Sequence, residues 1–345
     1  MTSNQSTNDR VDLAEANNIT LFANRLEAND NFGRFQIYDT PPGPWKDFYD
    51  SKTADLAARA NKRTSQNFTA QFHGDRFRCI LTDSNEGLCI TMRRLMRQIP
   101  RIERDLKLDW GAIAPLMQGS GLTIFASAMG HGKSTTMISA IDSIGQKARG
   151  NLGTVEDPIE AIFPGGGVIQ REVGTHVDTF EDAIRDFIRQ FRQTIMVGEI
   201  RDSETAEAAV QAASLGHSVF ATLHTDSAID IPARMSVLLD AKYTRLLPTV
   251  MRGMWWQHLI RSGEGQVDPL PIYESLYVTN AVRQIIAAGP EALPQLMQEM
   301  HVQGRKNMAE TAMHWVRMRK LRQEQVQQWL QPRGRINDAH LGFKR

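Results

Sequence analysis

The sequence has few of the features that mark secreted, disulfide-stabilised or membrane-spanning proteins. Its 345 residues include only two cysteines, Cys79 and Cys89, and neither belongs to a metal-binding motif. Both lie among apolar residues in a predicted hairpin, so we expect them to pack as reduced thiols. No apolar run approaches the roughly 20 residues of a spanning helix, and the polar first residues lack the apolar stretch of a signal peptide. We therefore expect a cytoplasmic protein that reaches a membrane only through a partner.

Neither sign of charge is in excess. Lysine and arginine number 40 and aspartate and glutamate 39, which gives a net charge of +1 and neither favours nor excludes nucleic-acid binding. The two ends differ, because residues 1–32 carry five acidic residues against two arginines, whereas residues 317–345 carry eight basic residues against two acidic ones. The basic end is either a solvated end of the chain or a docking segment for an acidic partner or nucleic acid.

The segment 122–136, LTIFASAMGHGKSTT, has the pattern of a strand, a glycine loop and a helix that together bind phosphate. Its apolar first residues are typical of a central parallel strand. The letters GHGKS match the end of the P-loop motif G-x-x-x-x-G-K-[ST], in which glycines turn backbone N–H groups inward and a helix begins near the lysine. The simpler alternative is a glycine turn before a helix that binds nothing.

The P-loop motif predicts that a run of nine residues contacts a nucleotide. These residues are Ser127, Ala128, Met129, Gly130, His131, Gly132, Lys133, Ser134 and Thr135. Lys133 would reach the β- and γ-phosphates, the Ser134 hydroxyl would ligate Mg²⁺, and Thr135 would donate to the α-phosphate. Ser127 replaces the first glycine of the motif, which a serine can do if its backbone stays in an ordinary conformation. We therefore expect ATP and Mg²⁺ at this loop.

Two acidic clusters and a histidine follow predicted strands, where a doubly wound sheet collects its ligands. The clusters are EDPIE at 156–160 and GEIRD at 198–202. A carboxylate there can hold Mg²⁺ through water or orient the attacking water, although either cluster alone is equally consistent with a helix cap or a surface ion pair. His224 directly follows an apolar strand and could sense the γ-phosphate, whereas His217 is more simply a structural residue.

Three arginines share one face of a predicted helix. Arg185, Arg189 and Arg192 are spaced four and three residues apart. They are either solvated charges or arginine fingers that reach a neighbouring subunit and stabilise the charge of the γ-phosphate during transfer. Arg192 is our catalytic candidate among them.

The alternation of strands and helices around the P-loop predicts an α/β protein with a parallel sheet covered on both faces. We predict four segments: a polar segment 1–40, a small N-terminal α+β domain 41–105, a nucleotide-binding domain 106–280 and a C-terminal helical tail 281–345. Within them, the finer predictions are a helix at 51–63, a hairpin from about 68 to 92, a helix at 106–120, a helical stretch at 226–262 and a pair of strands at 270–278.

Four motifs occur in the order that a known family shows. They are GHGKSTT, TVEDPIE, IMVGEIRD and LGH with TLHT, and they span Ser127 to Thr225. Together they resemble the Walker A, Asp box, Walker B and His box of the secretion and pilus ATPases of the type II/type IV superfamily. The resemblance is closest to the pilus-retraction (PilT-like) branch and to its type IVB secretion and conjugation relatives (DotB- and TraJ-like).

The resemblance implies a RecA-like P-loop NTPase core, a smaller N-terminal α+β (PAS-like) domain and a helical tail, assembled into a hexameric ring with ATP between the two domains. It implies that Glu156 polarises the attacking water, that Glu199 is linked to Mg²⁺, most simply through water, and that His224 lies near the γ-phosphate. Four arginines of the N-terminal side are candidates for nucleotide contact by the same resemblance: Arg76, Arg78, Arg93 and Arg97.

Two positions depart from the family pattern. Family members usually have an acidic residue and a proline before the Walker B strand, where this chain has Phe191-Arg192-Gln193. Their N-terminal domain commonly opens with an Asp-x-His strand, and residues 1–66 contain none. The sequence therefore predicts that the first half of the N-terminal domain is reduced or diverged.

The resemblance implies an ATP-hydrolysing hexameric motor that powers type IV (type IVB or conjugative) secretion or type IV pilus retraction. Its partners would be copies of itself and inner-membrane components of that machine, which would hold it at the membrane. Two alternatives stay open: a nucleotide-gated assembly protein without significant turnover, and a helicase-like nucleic-acid motor. The sequence lacks the mixed aromatic and basic pattern of single-strand binding, so we expect no direct contact with nucleic acid.

Overall fold

The structure is a computed structural model that describes residues 11–30, 34–57, 66–260 and 269–330. The chain divides into two compact units, with the boundary between Arg97 and Gln98. This boundary lies eight residues before the expected end of the N-terminal domain at residue 105. Among the described residues, no helix is both long enough and apolar enough to cross a membrane.

The first unit is a six-stranded antiparallel sheet with one helix packed on it. Its strands are β1 (Asn18–Leu21), β2 (Leu26–Asn29), β3 (Phe35–Tyr38), β4 (Gln66–Phe72), β5 (Asp75–Ser84) and β6 (Gly87–Arg94), in the order β3-β2-β1-β6-β5-β4. Helix α1 (Gly43–Ala57) contributes Trp45, Phe48 and Tyr49 to the core. Cys79 and Cys89 are buried and carry no disulfide, and burial raises the pKa of the Cys79 thiol to about 12, in agreement with reduced packing thiols.

The prediction of a separate polar segment at 1–40 is wrong for its described part, because β1, β2 and β3 belong to the sheet. Ile19 and Leu21 in β1 are fully buried, as is Leu26 in β2. Strands of four residues carry too few apolar positions for their alternation to stand out from polar neighbours. The described part of the first half is therefore not reduced, since three of the six strands come from that region, and its divergence from the family pattern stays a prediction.

Helix α1 begins eight residues before the predicted helix at 51–63. Prolines at positions 41, 42 and 44 precede or enter its first turn, and prolines often interrupt regular structure. A proline in the first helical turn is tolerated, however, because the N–H it lacks has no intrahelical partner there. Residues 58–63 of the prediction lie outside the described residues.

The second unit is built on a seven-stranded sheet. Its strands are β7 (Gly121–Ala126), β8 (Leu152–Glu156), β9 (Val168–Glu172), β10 (Thr194–Val197), β11 (Ser218–Leu223), β12 (Met251–Ile260) and β13 (Leu270–Tyr277), in the order β13-β12-β7-β11-β10-β8-β9. All neighbours are parallel except β12 and β13. Strands β7, β8 and β10 are buried at every position, as expected of a parallel sheet covered on both faces.

The helices of this unit follow in chain order. They are α2 (Trp110–Ile113), α3 (Lys133–Ser143), α4 (Gly145–Arg149), α5 (Phe180–Arg189), α6 (Ser203–Ser214), α7 (Ile231–Leu238), α8 (Ala241–Val250), α9 (Asn280–Ala288), α10 (Leu296–Val302), α11 (Met308–Arg317) and α12 (Gln323–Leu330). The predicted helix at 106–120 is limited to α2 and a following 3₁₀ turn, Ala114–Met117. The predicted helical tail is present as α9 to α12.

The prediction of a helical stretch at 226–262 is wrong in its last third. After α7 and α8 the chain forms β12, which pairs directly with the P-loop strand β7. Every residue from Met251 to Gln257 is buried, and a short run that is buried on both faces has no apolar period that separates a strand from a buried helix. Residues 270–278 form one strand rather than a pair, because β13 pairs with β12.

Candidate active site

The predicted motifs meet at one edge of the second sheet. Strands β7, β8, β10 and β11 are parallel, so their carboxyl ends lie at the same edge. The P-loop follows β7, the two acidic clusters follow β8 and β10, and His224 follows β11. The carboxyl edge of a doubly wound sheet is where ligands bind in this architecture.

The P-loop has the backbone that its glycines predict. Gly130 and Gly132 have φ angles of 77° and 78°, in the left-handed region that a residue with a side chain rarely adopts. Gly132 caps α3, and its carbonyl accepts the N–H of Thr136 at 2.9 Å. Ser127, in contrast, is not among the residues with positive φ, so its backbone meets the condition for replacing glycine.

The loop presents its polar groups at the start of a helix. Lys133 opens α3 and is followed by Ser134 and Thr135, and all three are half-buried. The tip is open to solvent, since Ala128 is exposed and Met129 is 84% exposed. Backbone N–H groups at a helix N-terminus attract anions through their partial positive charge, so this end of α3 is suited to phosphate.

Three side chains from three motifs are in contact beside the loop. The Nζ of Lys133 lies 3.3 Å from Nε2 of His224. Nε2 of His224 in turn lies 2.8 Å from Oε1 of Glu199. Burial lowers the pKa of the Lys133 ammonium group, and the negative charge of Glu199 acts against this. The structure therefore brings the Walker A, Walker B and His-box residues into one cluster.

The proton on His224 decides which neighbour it bonds. Its Nδ1 lies 2.9 Å from the carbonyl oxygen of Ser127, which can only accept, so Nδ1 carries a proton. When Nε2 carries no proton, it accepts a hydrogen bond from the Lys133 ammonium group. When Nε2 is protonated, it donates to Glu199. This geometry makes His224 a bridge between the cation and the carboxylate of the cluster.

Glu199 also connects the two acidic clusters. Its Oε2 accepts from Nε of Arg201 at 2.7 Å, and the guanidinium of Arg201 reaches Oδ2 of Asp157 at 3.4 Å. Oε2 of Glu199 is therefore held by Arg201, and Oε1 faces Nε2 of His224. Such an arrangement fixes the orientation of a carboxylate before a substrate arrives.

The geometry does not support Glu156 as the residue that polarises water. Its side chain is 2% exposed and accepts hydrogen bonds on both oxygens, from Thr154 at 2.8 Å and from the N–H of Glu160 at 3.1 Å. Burial raises the pKa of its carboxyl group to about 7. Glu156 is the last residue of a central strand, and both faces of that sheet are covered, so its side chain packs inside the domain.

Glu160 is the residue that the sequence analysis missed. It is half-buried, and its negative charge raises the pKa of Lys133, which places it in electrostatic range of the P-loop. The two glutamates of EDPIE are four residues apart, and the turn after β8 separates their environments. The end of strand β8 could have told the two glutamates apart, because the last residue of a buried strand is less exposed than a residue in the following turn.

The structure does not bring Arg192 to this edge. It lies two residues before β10, whereas Glu199 lies two residues after it, so the strand separates them by roughly 13 Å. Its guanidinium reaches the carbonyl of Gly167 at 3.2 Å, and its own carbonyl bonds His217 at 2.6 Å. Arg185 pairs with Glu181 on α5. Within one chain, therefore, the predicted arginine finger is not part of the site.

The four N-terminal arginines have two different environments. Arg78 and Arg93 are direct cross-strand partners and share the face of the sheet opposite to α1, as does Arg76 on β5. Arg97 instead makes two contacts with Asp75, at 2.5 and 2.8 Å. The first three lie on the sheet face opposite to α1, where Arg93 is exposed and the other two are half-buried, whereas Arg97 is part of an ion pair within its own unit.

The donor set at the P-loop fits a magnesium ion. Mg²⁺ prefers hard oxygen ligands, keeps several waters and usually takes one or two protein groups beside the phosphates of a nucleotide. Ser134 offers a hydroxyl and Glu199 a carboxylate. No group of three or more His, Cys, Asp or Glu side chains suited to a metal occurs in the described part of the chain, so this site would hold the ion only together with phosphate oxygens and water.

Comparisons with known proteins agree with this geometry. The family described as Type II/IV secretion system protein matches residues 85–338. One relative is the type II secretion system protein HxcR of Pseudomonas aeruginosa, which is 30% identical over 261 residues, or 68% of this chain. The chain spans only 54% of the length of that relative.

Two solved structures share the fold over most of both chains. The pilus retraction motor PilT, solved with bound ADP, is 28% identical, with a TM-score of 0.77, covering 91% of this chain and 92% of its own. The ATPase DotB of Legionella pneumophila is 22% identical, with a TM-score of 0.74, covering 92% of each chain. The predicted α/β fold with an N-terminal domain and a P-loop core is confirmed, and the chain belongs to the type II/IV secretion system protein family.

Proposed function

We propose that this protein is an ATP-hydrolysing motor that powers a type IV secretion system or the dynamics of a type IV pilus. The observation that carries the proposal is the contact of Lys133, His224 and Glu199 at the N-terminus of α3. This is a cation, a proton carrier and an oriented carboxylate around a site suited to phosphate. PilT is a pilus retraction motor with bound ADP, and HxcR is a secretion system protein, which supports the same assignment.

Each residue of the cluster has a role in phosphoryl transfer. The P-loop from Ser127 to Gly132 offers N–H groups to the phosphates, and Lys133 neutralises the β- and γ-phosphates. Ser134 would hold Mg²⁺ and Glu199 would bind one of its waters, and the ion supplies charge neutralisation on the phosphate oxygens. His224 moves with the charge balance between Lys133 and Glu199 and thereby responds to the γ-phosphate.

We assign activation of the attacking water to Glu160 rather than Glu156. A general base must reach the water and must be ionised at the working pH. Glu160 is half-buried beside Lys133, whereas the carboxyl group of Glu156 is enclosed and has a pKa of about 7. Glu156 then supports the site from inside, because it accepts the N–H of Glu160 and fixes the turn that carries the base.

The proposal includes assembly into a hexameric ring that works with inner-membrane components of its machine. Phosphoryl transfer needs cationic charge beyond Lys133 and Mg²⁺, and no arginine of the P-loop edge other than Arg201 is described in contact with this cluster. Arg201 is held by Glu199 and Asp157. An arginine of the next subunit would therefore complete the charge balance.

Phosphate release from Mg²⁺·ATP by the purified full-length protein tests the proposal. We expect Lys133→Ala to lower the rate at least about 100-fold, since it removes a cation aimed at the transferred group. Lys147→Ala is the matched control, because Lys147 is exposed on α4 and should leave the rate unchanged. Absence of turnover in the wild type, or equal turnover in Lys133→Ala, would remove the ATPase from the proposal.

A further inference from the structure

Strand β12 continues past the end of the P-loop strand and supports the loop from the side. Trp256 pairs with Ala126, the last residue of β7, and β12 runs on for four more residues. In this extension, the amide nitrogen of Gln257 donates to the carbonyl of His131 at 2.6 Å. The backbone N–H of Leu259 donates to Nδ1 of the His131 ring at 3.1 Å. The loop residue His131 is thus held by both its backbone and its side chain.

The contact with Gln257 sets the direction of a phosphate-binding N–H group. In a trans peptide the C=O and the N–H point in opposite directions. Because the carbonyl of His131 points to β12, the N–H of Gly132 points away from β12, toward the inside of the loop. A Cβ atom on Gly132 would lie 3.1 Å from Nε2 of Gln257, which is a tighter approach than ordinary van der Waals contact.

The ring of His131 continues this support to the C-terminal helix. It stacks on the ring of His258, with 3.7 Å between centroids and 27° between planes. Nε2 of His258 accepts the indole N–H of Trp329 at 3.1 Å, and Trp329 lies in α12. A continuous series of directed contacts therefore joins the nucleotide-binding loop to the last described helix of the chain.

The two hydrogen bonds fix the protons of both rings. The donors are a backbone N–H and an indole N–H, which cannot accept. Nδ1 of His131 and Nε2 of His258 must therefore be unprotonated, so each ring is a neutral tautomer with its proton on the other nitrogen. The stack is a contact between two neutral rings whose orientations are both fixed, and a displacement of either ring disturbs the other.

Helix α12 is firmly attached on its other side. Val326 and Leu330 are fully buried in the core of the second unit, and the indole rings of Trp329 and Trp256 lie 6.4 Å apart. A packed helix with a hydrogen bond to the P-loop support can hold that support in one position. It can also report a change in it, because energetic coupling between two sites is reciprocal.

We propose that α12 is a positioning element of the nucleotide site, in which Trp329 and His258 act through His131 on the P-loop. Nucleotide binding and the docking of α12 then strengthen each other. This inference rests on the proposed binding of ATP at the P-loop. It gives the C-terminal helix a role in ATP affinity, and it makes α12 a route by which an event at the end of the chain changes the motor.

Fluorine NMR of the full-length protein labelled with 5-fluorotryptophan tests the coupling. Trp329→Phe assigns the Trp329 resonance, and we expect ADP to shift that resonance in the wild type. His131→Ser removes the ring that joins the P-loop to His258, so we expect ADP to bind it more weakly and, at a saturating concentration, no longer to shift this resonance. A structural role of Trp329 alone would not produce this difference between two proteins that both bind ADP.

Affinity provides the second readout. Trp329→Phe keeps an aromatic ring but removes the indole N–H, so we expect the dissociation constant for ADP to rise about threefold to tenfold, the range for one hydrogen bond. Trp315→Phe is the matched control, because Trp315 lies on α11 and donates to the carbonyl of Pro271 at 2.6 Å, away from the P-loop. It should change the constant less than twofold.

The outcomes separate the two proposals. If the wild type binds ADP with the Trp329 resonance unmoved, or if Trp315→Phe weakens ADP as much as Trp329→Phe, α12 is not a positioning element. If the wild type and Lys133→Ala both fail to bind ADP, the proposed nucleotide site itself is wrong, and the coupling falls with it. A shift in the wild type that is lost in His131→Ser supports the inference.

Discussion

The imidazole nitrogen Nε2 of His224 lies 2.8 Å from Oε1 of Glu199. The two residues are 25 positions apart in the sequence and follow strands β11 and β10, which are neighbours in the sheet. Parallel pairing of these strands places both side chains at the same edge, where Lys133 opens the P-loop helix. Under the proposed function, a charge change at bound phosphates would reach the carboxylate through this one ring.

The charge of Glu199 is expected to matter more than its shape. Glu199→Gln keeps the size of the side chain but removes the anion that faces His224, Arg201 and the predicted ion. We expect kcat for Mg²⁺·ATP to fall about 100-fold or more, measured as steady-state phosphate release. Glu204→Gln on the exposed first turn of α6 is the control and should retain full activity. A variant at Glu199 with unchanged kcat would exclude the carboxylate from the reaction.

The two glutamates of the EDPIE motif are expected to differ in kind. Glu160→Gln should bind ATP and lose at least about 100-fold in kcat, since it removes the general base. Glu156→Gln should retain at least about a tenth of the activity and unfold at a lower temperature, because its amide group would face the N–H of Glu160 with a donor. Rapid-quench measurement of a single turnover separates chemistry from product release. If Glu156→Gln is instead slower than Glu160→Gln, the general base is Glu156.

Stability should depend on pH through Glu156. The pKa of this carboxyl group is raised by burial from its ordinary value of 4.5 to about 7 in the folded protein, so the folded state binds more protons than the unfolded state between these values. Its contribution to stability is therefore largest below pH 4.5 and is lost as the pH rises to about 7. The difference between the two pKa values corresponds to roughly 3 kcal/mol in the free energy of unfolding.

Urea unfolding of the wild type and Glu156→Gln at pH 5 and pH 8 measures this contribution, since glutamine does not titrate. We expect the free energy of unfolding of the wild type to fall relative to that of the variant by about 2 kcal/mol over this range. If the difference in unfolding free energy between the wild type and Glu156→Gln is the same at pH 5 and pH 8, the pKa of Glu156 is not raised in the folded protein.

The position of the candidate site was predictable from the sequence, because its motifs are local. The P-loop glycines, Lys133 and the acidic clusters each lie within a few residues, and strand alternation placed them at one edge. Two of the errors concern elements whose identity depends on distant partners: β1, with four residues, is recognised only by pairing with β2 and β6, and β12 only by pairing with β7.

The difference in burial between Glu156 and Glu160 was not predictable for a related reason. Both are glutamates of one short motif, and spacing alone does not say which is enclosed. Burial of Glu156 depends on Thr154 and on Gln170, which comes from the neighbouring strand β9. The placement of Arg192 has the same origin, because only the exact end of α5 decides on which side of β10 the residue falls.

The last prediction concerns completion of the site by a second subunit. In a head-to-tail ring each active site lies at an interface between unlike surfaces of two copies. Arg93 is the candidate donor, since it is exposed and, with its cross-strand partner Arg78, lies on the face of the first sheet opposite to α1. We expect Arg93→Ala and Lys133→Ala each to be inactive alone, one for lack of the donated cation and the other for lack of its own P-loop cation.

Mixing these two inactive variants should restore activity. In an equimolar ring, a site works when its own subunit retains Lys133 and the next subunit retains Arg93, so about a quarter of the sites recover. Arg97→Ala is the control for the donor, because Arg97 is paired with Asp75 within its own unit. Its loss should lower the thermal stability of the first unit. Arg97→Ala should not take the place of Arg93→Ala in the mixing experiment with Lys133→Ala. No recovery in the mixture, with rings present by light scattering, would show that the site is completed within one chain, and full activity of Arg93→Ala alone would exclude this arginine.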